Sequence, residues 1–250
     1  MYWKIRTWFE NNRNYTIKNE LADLGIFVEP ELTNPGSQLC TANQFYSDRY
    51  HYWCGEMNSP PRFARKQWEF VYIMEALSSR GKLVDGANGL GFGCGREPMP
   101  GIFAQRGCSI LATDLDKDAA RENGWVDTLQ HSNGLSDLYA ACNDLLDEEE
   151  FRKKVSFKCV DMNAIPPELG RFDFVWSACA LEHLGSLIHG MEFVKNSLKY
   201  LKPGGVAVHT TEFNLSSNDD TFETQGCSVY RKKDIEPVSY THLTLPTTGS

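Results

Sequence analysis

The stretch from Gly89 to Asp116, GLGFGCGREPMPGIFAQRGCSILATDLD, constrains this chain more than any other. It predicts a strand, a glycine-rich turn, a helix and a second strand that closes on an acidic end. Leu90 and Phe92 give the first strand its bulk, while Gly91, Gly93 and Gly95 let a ligand approach the backbone closely. Pro98 suits the first turn of a helix, where its missing N–H costs nothing, and Gly107 suits the residue after the last turn. Ser109 to Thr113 is then a short apolar strand with Asp114 at its carboxyl end. Asp114 follows Gly93 by 21 positions, close to the roughly 20 expected of a carboxylate that holds a ribose. Such a unit binds an adenosyl ligand.

What the stretch lacks narrows the ligand. A dinucleotide site needs G-x-G-x-x-G, whose later glycines make room for a pyrophosphate. No register supplies that pattern, and Glu97 stands where a third glycine would. A carboxylate there repels a pyrophosphate but tolerates the ammonium and sulfonium charges of S-adenosylmethionine. The carboxylate of that molecule would take backbone N–H groups at the helix start, with help from Arg96. The bland alternative is a structural βαβ unit with a glycine bend.

The rest of the chain sets the frame. With 250 residues it holds one or two domains. No apolar run approaches the ~18 residues of a membrane span, and MYWKIRTWFENN lacks the apolar stretch of a signal peptide. Eight cysteines are scattered without a C-x-x-C pair, so reduced thiols in a cytoplasm are expected, with no metal. A net charge of −8 without a basic stripe argues against nucleic acid as a partner.

Residues 1–60 read as a helical and irregular cap. Tyr2, Ile5, Trp8 and Phe9 share one helical face. Residues 30–61, rich in Pro, Gly, Asn and Ser, read as irregular and carry Tyr46, Tyr50, His51, Tyr52 and Trp53. Those aromatics either roof a ligand pocket or plug the loop onto the core. From Pro61 to Ser79 the pattern is helical, and Phe70 to Met74 is apolar all round, as in a buried helix. Trp125 to Glu150 reads as mostly helical with Leu135, Leu138 and Leu145 inward, and Asp147 to Glu150 as a solvated helix start. Strands follow at Val155–Val160, Phe172–Trp176 and Val206–Thr211, with a helix from Gly185 to Leu201. The alternation predicts an α/β fold, a doubly wound and mostly parallel sheet, over residues 61–236.

Over roughly residues 60–236 the chain resembles the class I S-adenosylmethionine-dependent methyltransferases. GFGCGRE stands at the family's glycine-rich motif, ATDLD at its ribose-binding acid and CVDMNAIP at its adenine-side segment. FDFVWSACALEHL and LKPGGVAV look like its fourth strand and the turn into the fifth. Two residues depart from the pattern: Gly91 replaces the acid common before the glycine loop, and Glu97 replaces its last glycine. The resemblance implies a Rossmann-like sheet and S-adenosyl-L-methionine as cofactor. It places Gly91, Gly93, Gly95, Arg96, Glu97, Asp114, Leu115, Asp161, Met162 and Ser177 on the cofactor.

On the substrate side it implies Cys179, with Tyr50 and Trp53 from the aromatic cluster. His183 is the candidate general base and Glu182 its orienter; the other reading of His183 is a helix-start histidine bonded to backbone. Signatures of nucleic-acid methylases are not seen, so a small molecule, a sugar or a lipid-linked glycan is the expected acceptor. The same residues also suit two other functions, an NAD(P)-dependent oxidoreductase on a Rossmann sheet and a cofactor-binding scaffold without turnover.

Residues 237–250, PVSYTHLTLPTTGS, carry no charge and resemble translated sequencing-adapter read-through. The family's sheet is completed by a helix and an antiparallel pair of strands after the fifth strand. The residues between Thr211 and Glu236 are too few for all three, so the expectation is a domain that lacks them, with its fifth strand as an edge.

Overall fold

The computed structural model describes residues 30–122 and 130–236. The face formed by Tyr2, Ile5, Trp8 and Phe9, residue Trp125 and the segment 237–250 lie outside the described residues. Five strands form one parallel sheet: β1 (Asn88–Gly91), β2 (Ser109–Asp114), β3 (Val155–Cys159), β4 (Phe172–Ala178) and β5 (Leu201–Thr210). Their spatial order is β3-β2-β1-β4-β5. The helices are α1 (Asp48–Glu56), α2 (Arg65–Ser78), α3 (Met99–Gln105), α4 (Lys117–Glu122), α5 (Leu135–Ala140), α6 (Glu148–Lys154) and α7 (Leu187–Ser197).

Period-two alternation along the strands builds a core on each face of the sheet. Phe174 and Trp176 of β4 join Trp53, Ile73, Met74 and Phe103 in one cluster. Val175 points the other way, where it meets Leu90, Phe92, Phe193 and Tyr230. The strand order turns back between β1 and β4. In doubly wound sheets the crevice at that point, outside the carboxyl ends of the strands, receives ligands.

The irregular region expected over 30–61 contains a helix. The side chain of Ser47 accepts from the backbone N–H of Tyr50 at 3.2 Å and caps α1. Tyr50, Trp53 and Cys54, spaced three and four apart, are its fully buried face. Glu75 of α2 accepts from Trp53 Nε1 at 2.6 Å and from Arg49 Nε at 2.8 Å. Tyr50 Oη donates to Arg62 O at 2.7 Å and Gln67 Oε1 at 3.0 Å. Both rings therefore plug α1 onto α2.

Two further segments differ from expectation. Of the stretch 125–150 read as mostly helical, the described residues hold α5 and the start of α6, with Asp137 accepting from Asn133 N at 2.9 Å at the start of α5 and Asp147 capping α6 at Glu150 N. β5 begins at Leu201 and runs through Pro203-Gly204 in place of starting after them. Leu201 pairs with Phe172 and Val206 with Phe174, so the surplus residues bulge, with Gly204 at φ +74°. Among the described residues β5 is an edge of the sheet.

β4, β5 and α7 are joined by one polar chain, buried at Ser177 and Ser197 and half-buried at His209. Ser197 Oγ donates to Val194 O at 2.7 Å, so it accepts from His209 Nε2 at 3.1 Å. Nδ1 of His209 then accepts from Ser177 Oγ at 2.8 Å. Burial lowers the His209 pKa from 6.5 to about 4 and keeps the ring neutral. The unfolded chain therefore binds the extra proton between those values. Stability from this group is complete above pH 6.5 and lost as pH falls toward 4. The loss is at most about 3 kcal/mol. Urea denaturation of wild type and His209→Gln should show the two stabilities converging over that range; a constant difference contradicts it. A second expectation concerns Gly190, where an added β-carbon would overlap Tyr230 Oη and lie 2.7 Å from Leu181 O. Gly190→Ala should cost about 1–3 kcal/mol by the same measurement, and an unchanged midpoint would show that Tyr230 moves freely.

Candidate functional site

The residues expected to bind a ligand gather at the carboxyl ends of β1, β2, β3 and β4. Gly93 and Gly95 have φ of +57° and +50°, the left-handed region that favours glycine. A β-carbon at Gly93 would lie 2.8 Å from Ala180 Cβ and 3.4 Å from Met162 Sδ, so the turn sits against the segments that follow β4 and β3. A β-carbon at Gly95 would strike Gln130 O. Gly91 is required for another reason, since a β-carbon there would enter the Trp176 ring.

Asp114 is buried and collects three backbone donors. Oδ2 accepts from Gly95 N at 3.1 Å and Ser132 N at 3.0 Å, and Oδ1 accepts from Leu115 N at 2.8 Å. Burial pushes its carboxyl above the ordinary value although these N–H groups pull it down. The hydroxyl of Ser132 also donates to Gly95 O. His131 Nε2 donates to Leu115 O at 2.7 Å, which leaves Nδ1 as a buried acceptor without a hydrogen-bond partner. Neither His131 nor Ser132 was visible in the sequence, where both fall in a stretch read as helix.

Glu97 is buried beside the turn. Its Oε1 lies 3.5 Å from Lys66 Nζ and its Oε2 has no hydrogen-bond partner. Burial raises its pKa to about 8, with Lys66 lowering it and Glu69 raising it further. Burial alone would lower the Lys66 ammonium, but Glu97 and Glu69 outweigh it and its pKa is raised. Lys66 Nζ donates to Ala178 O at 3.0 Å, at the last residue of β4. The next residue, Cys179, holds φ +49°, strained for a side chain of this kind. Its N–H donates to Thr210 O at 3.1 Å, and Arg65 Nη1 donates to its Sγ at 3.3 Å.

The remaining candidates are placed as follows. Arg96 is exposed and pairs with Asp137 at 3.1 Å, which turns it toward α5. Asp161 is exposed at the end of β3, where it accepts from Asn163 N at 2.8 Å beside the buried Met162. Ser177 is engaged with His209 as described. Glu182 is buried, its pKa raised by burial, and accepts from Thr211 Oγ1 at 3.1 Å. His183 Nδ1 donates to Gly226 O at 2.7 Å. Tyr50 and Trp53 are buried in the α1–α2 contact, where they donate to Gln67 and Glu75.

An adenosyl ligand with a charged amino-acid end fits this set of acceptors. Asp114 keeps one of roughly four lone-pair sites, while His131 Nδ1 and Glu97 Oε2 are buried acceptors that lack a donor. The open depressions lined by Lys82, Asp173 and Lys202 and by Ser109, Arg152 and Ser156 lie at the amino ends of the strands, the wrong end for ligand chemistry in this architecture. No described helix is long and apolar enough to cross a membrane.

A family model described as a methyltransferase domain matches residues 64–245. No curated protein matches the chain. Among solved structures, the chain is similar to an S-adenosylmethionine-dependent methyltransferase from Mesorhizobium loti, at 18% identity and a TM-score of 0.38, over 55% of this chain and 52% of that one. It is also similar to the glycopeptide N-methyltransferase MtfA complexed with sinefungin, at 16% identity and a TM-score of 0.41, over 60% and 56%. The TehB-like SAM-dependent methyltransferase from Corynebacterium glutamicum follows at 16% identity and a TM-score of 0.44, over 76% and 78%. The chain spans about half the length of the first two. Their low TM-scores leave the family model as the finding that assigns the chain. That match covers most of the sequence, and the chain belongs to this family of methyltransferase domains.

Proposed function

We propose that the chain is a cytoplasmic S-adenosylmethionine-dependent methyltransferase acting on a small-molecule, sugar or lipid-linked acceptor, with the cofactor-binding domain at residues 61–236 and residues 1–60 as a cap. Membership of the family supports the reaction class. The observation that carries the site is Asp114, which closes the glycine turn at the carboxyl end of β2 with buried, donorless acceptors at His131 and Glu97 beside it.

When bound, S-adenosylmethionine supplies a methyl group already activated by a sulfonium. The residues of the chain then have to bind, align and exclude water. Asp114 and His131 take the ribose hydroxyls, while Asp161 accepts from the adenine amine and Met162 packs on the ring. Gly93, Gly95 and Leu115 line the path between them. Glu97 stands between the cofactor's amino-acid end and the acceptor. Holding the acceptor in line can supply about 7–11 kcal/mol of barrier reduction. We assign His183 the fixing of the segment around Gly226, through the bond its Nδ1 already makes. Glu182, the expected orienter of His183, also accepts from Thr211 Oγ1 and holds that residue behind the acceptor.

Calorimetry should show S-adenosylhomocysteine binding to the wild type and no heat with NADH. Asp114→Ala should weaken that binding by about tenfold to a hundredfold, the loss of charge-assisted bonds worth roughly 1.5–3 kcal/mol. A folded Asp114→Ala protein with wild-type affinity would refute the assignment, as would tight NADH binding.

A further inference from the structure

The first turn of α2 carries charges to the ends of β4 and β5. Arg65 Nη1 lies 3.0 Å from Glu69 Oε1 and 2.7 Å from Glu212 Oε1. Lys66 Nζ lies 3.5 Å from Glu69 Oε2 and 3.5 Å from Glu97 Oε1. With Glu182 close enough to raise the Lys66 pKa, four acidic side chains share two cations, and burial holds the Glu97 pKa up at about 8. The two sides are not equally enclosed. The side chains of Arg65 and Lys66 are 51% and 48% exposed, those of Glu69 and Glu97 only 2% and 7%. Oε2 of Glu69 and Oε2 of Glu97 are both buried and accept no hydrogen bond. The carboxylates are therefore the floor of the cluster and the cations its mouth.

Buried carboxylate oxygens without donors are costly, and excess negative charge adds to the cost. A ligand that removes both brings positive charge and several N–H donors. A hydroxyl brings one donor and no charge, and a phosphate or carboxylate is repelled. We propose that the methyl acceptor is a small amine, taken up as its ammonium ion by Glu69 and Glu97 at the carboxyl end of β4. This rests on the methyltransferase reading.

The step balances with the groups present. The ammonium gives one proton to Glu97 in its ionised form, which fills as pH rises through its raised pKa of about 8, leaving a neutral nitrogen with a lone pair. That pair forms the N–CH3 bond while the S–CH3 bond breaks and its electrons stay on sulfur as a thioether. The product nitrogen carries the positive charge the sulfonium gave up. Glu97 returns its proton to water through the exposed mouth.

The test begins with wild-type protein, cofactor labelled in its methyl group and a small-molecule cell extract. In one arm the amines of the extract are capped with N-hydroxysuccinimidyl acetate. Label should enter cation-exchange-retained compounds in untreated extract and fall at least about tenfold after capping. Label that survives capping, or no labelled amine at all, overturns the proposal. Glu69→Gln is then compared by two readouts. S-adenosylhomocysteine affinity should stay within about twofold, while kcat/KM for the labelled amine falls about tenfold or more. A Glu69→Gln protein that loses cofactor affinity in step with transfer would assign these carboxylates to the cofactor's own ammonium and overturn the proposal. Failure of the wild type to bind S-adenosylhomocysteine would instead remove the underlying methyltransferase reading.

Discussion

The carboxylate of Asp114 fixes the geometry on which the rest of the site depends. An ionised carboxylate at a buried strand end is untenable unless donors surround it. Here the donors come from three separate pieces of chain: Gly95 in the glycine turn, Leu115 after β2, and Ser132 in the segment that leads to α5. Each must aim its N–H at the same two oxygens. For the turn this is possible because Gly93 and Gly95 take left-handed φ angles closed to most side chains. One charge thus dictates the path of the turn and seats residues 130–132 across it. The same requirement brings His131 to the site, since its neighbour Ser132 is held there.

The parts of the fold that were legible in the sequence are those encoded by local signals. Pro98 and Gly107 bracket α3, and the apolar run before Asp114 is β2. The five parallel strands followed from alternation of apolar segments with helical ones. What stayed hidden depends on partners far along the chain. Tyr50 and Trp53 looked like loop aromatics because nothing in their neighbourhood reports that Gln67 and Glu75 wait on another helix to accept from them. Ser47 as a cap was a usable signal, overshadowed by the Pro and Gly content around it. The bulge in β5 was masked by Pro203-Gly204, which reads as a turn in any sequence.

Helix α2 shows the limit most sharply. Its apolar periodicity marks it as buried, and it is: Val71 to Leu77 are all inaccessible or nearly so. Periodicity cannot say what a glutamate in such a helix meets. Glu69 and Glu75 are equally buried, at 2% and 3% exposure, on the same helix. Glu75 receives Arg49 and Trp53 from α1, with donors on one oxygen from two residues. Glu69 receives Arg65 on one oxygen, while the other has only the Lys66 ammonium, 3.5 Å away and outside hydrogen-bonding geometry.

That contrast separates a structural carboxylate from one with another purpose. A buried acceptor left without its donor costs about 1–3 kcal/mol, a large share of the roughly 5–15 kcal/mol by which a domain is stable. A residue without a charge at position 69 would avoid that cost. Glu75 needs no further explanation, because its donors offset its burial and pin α1 to α2. Glu69 and Glu97 lack such donors, and they lie where the sheet delivers the ends of β1 and β4. Stability alone gives no reason for two half-satisfied carboxylates flanking one lysine. A reaction in which positive charge arrives, changes hands and leaves gives one.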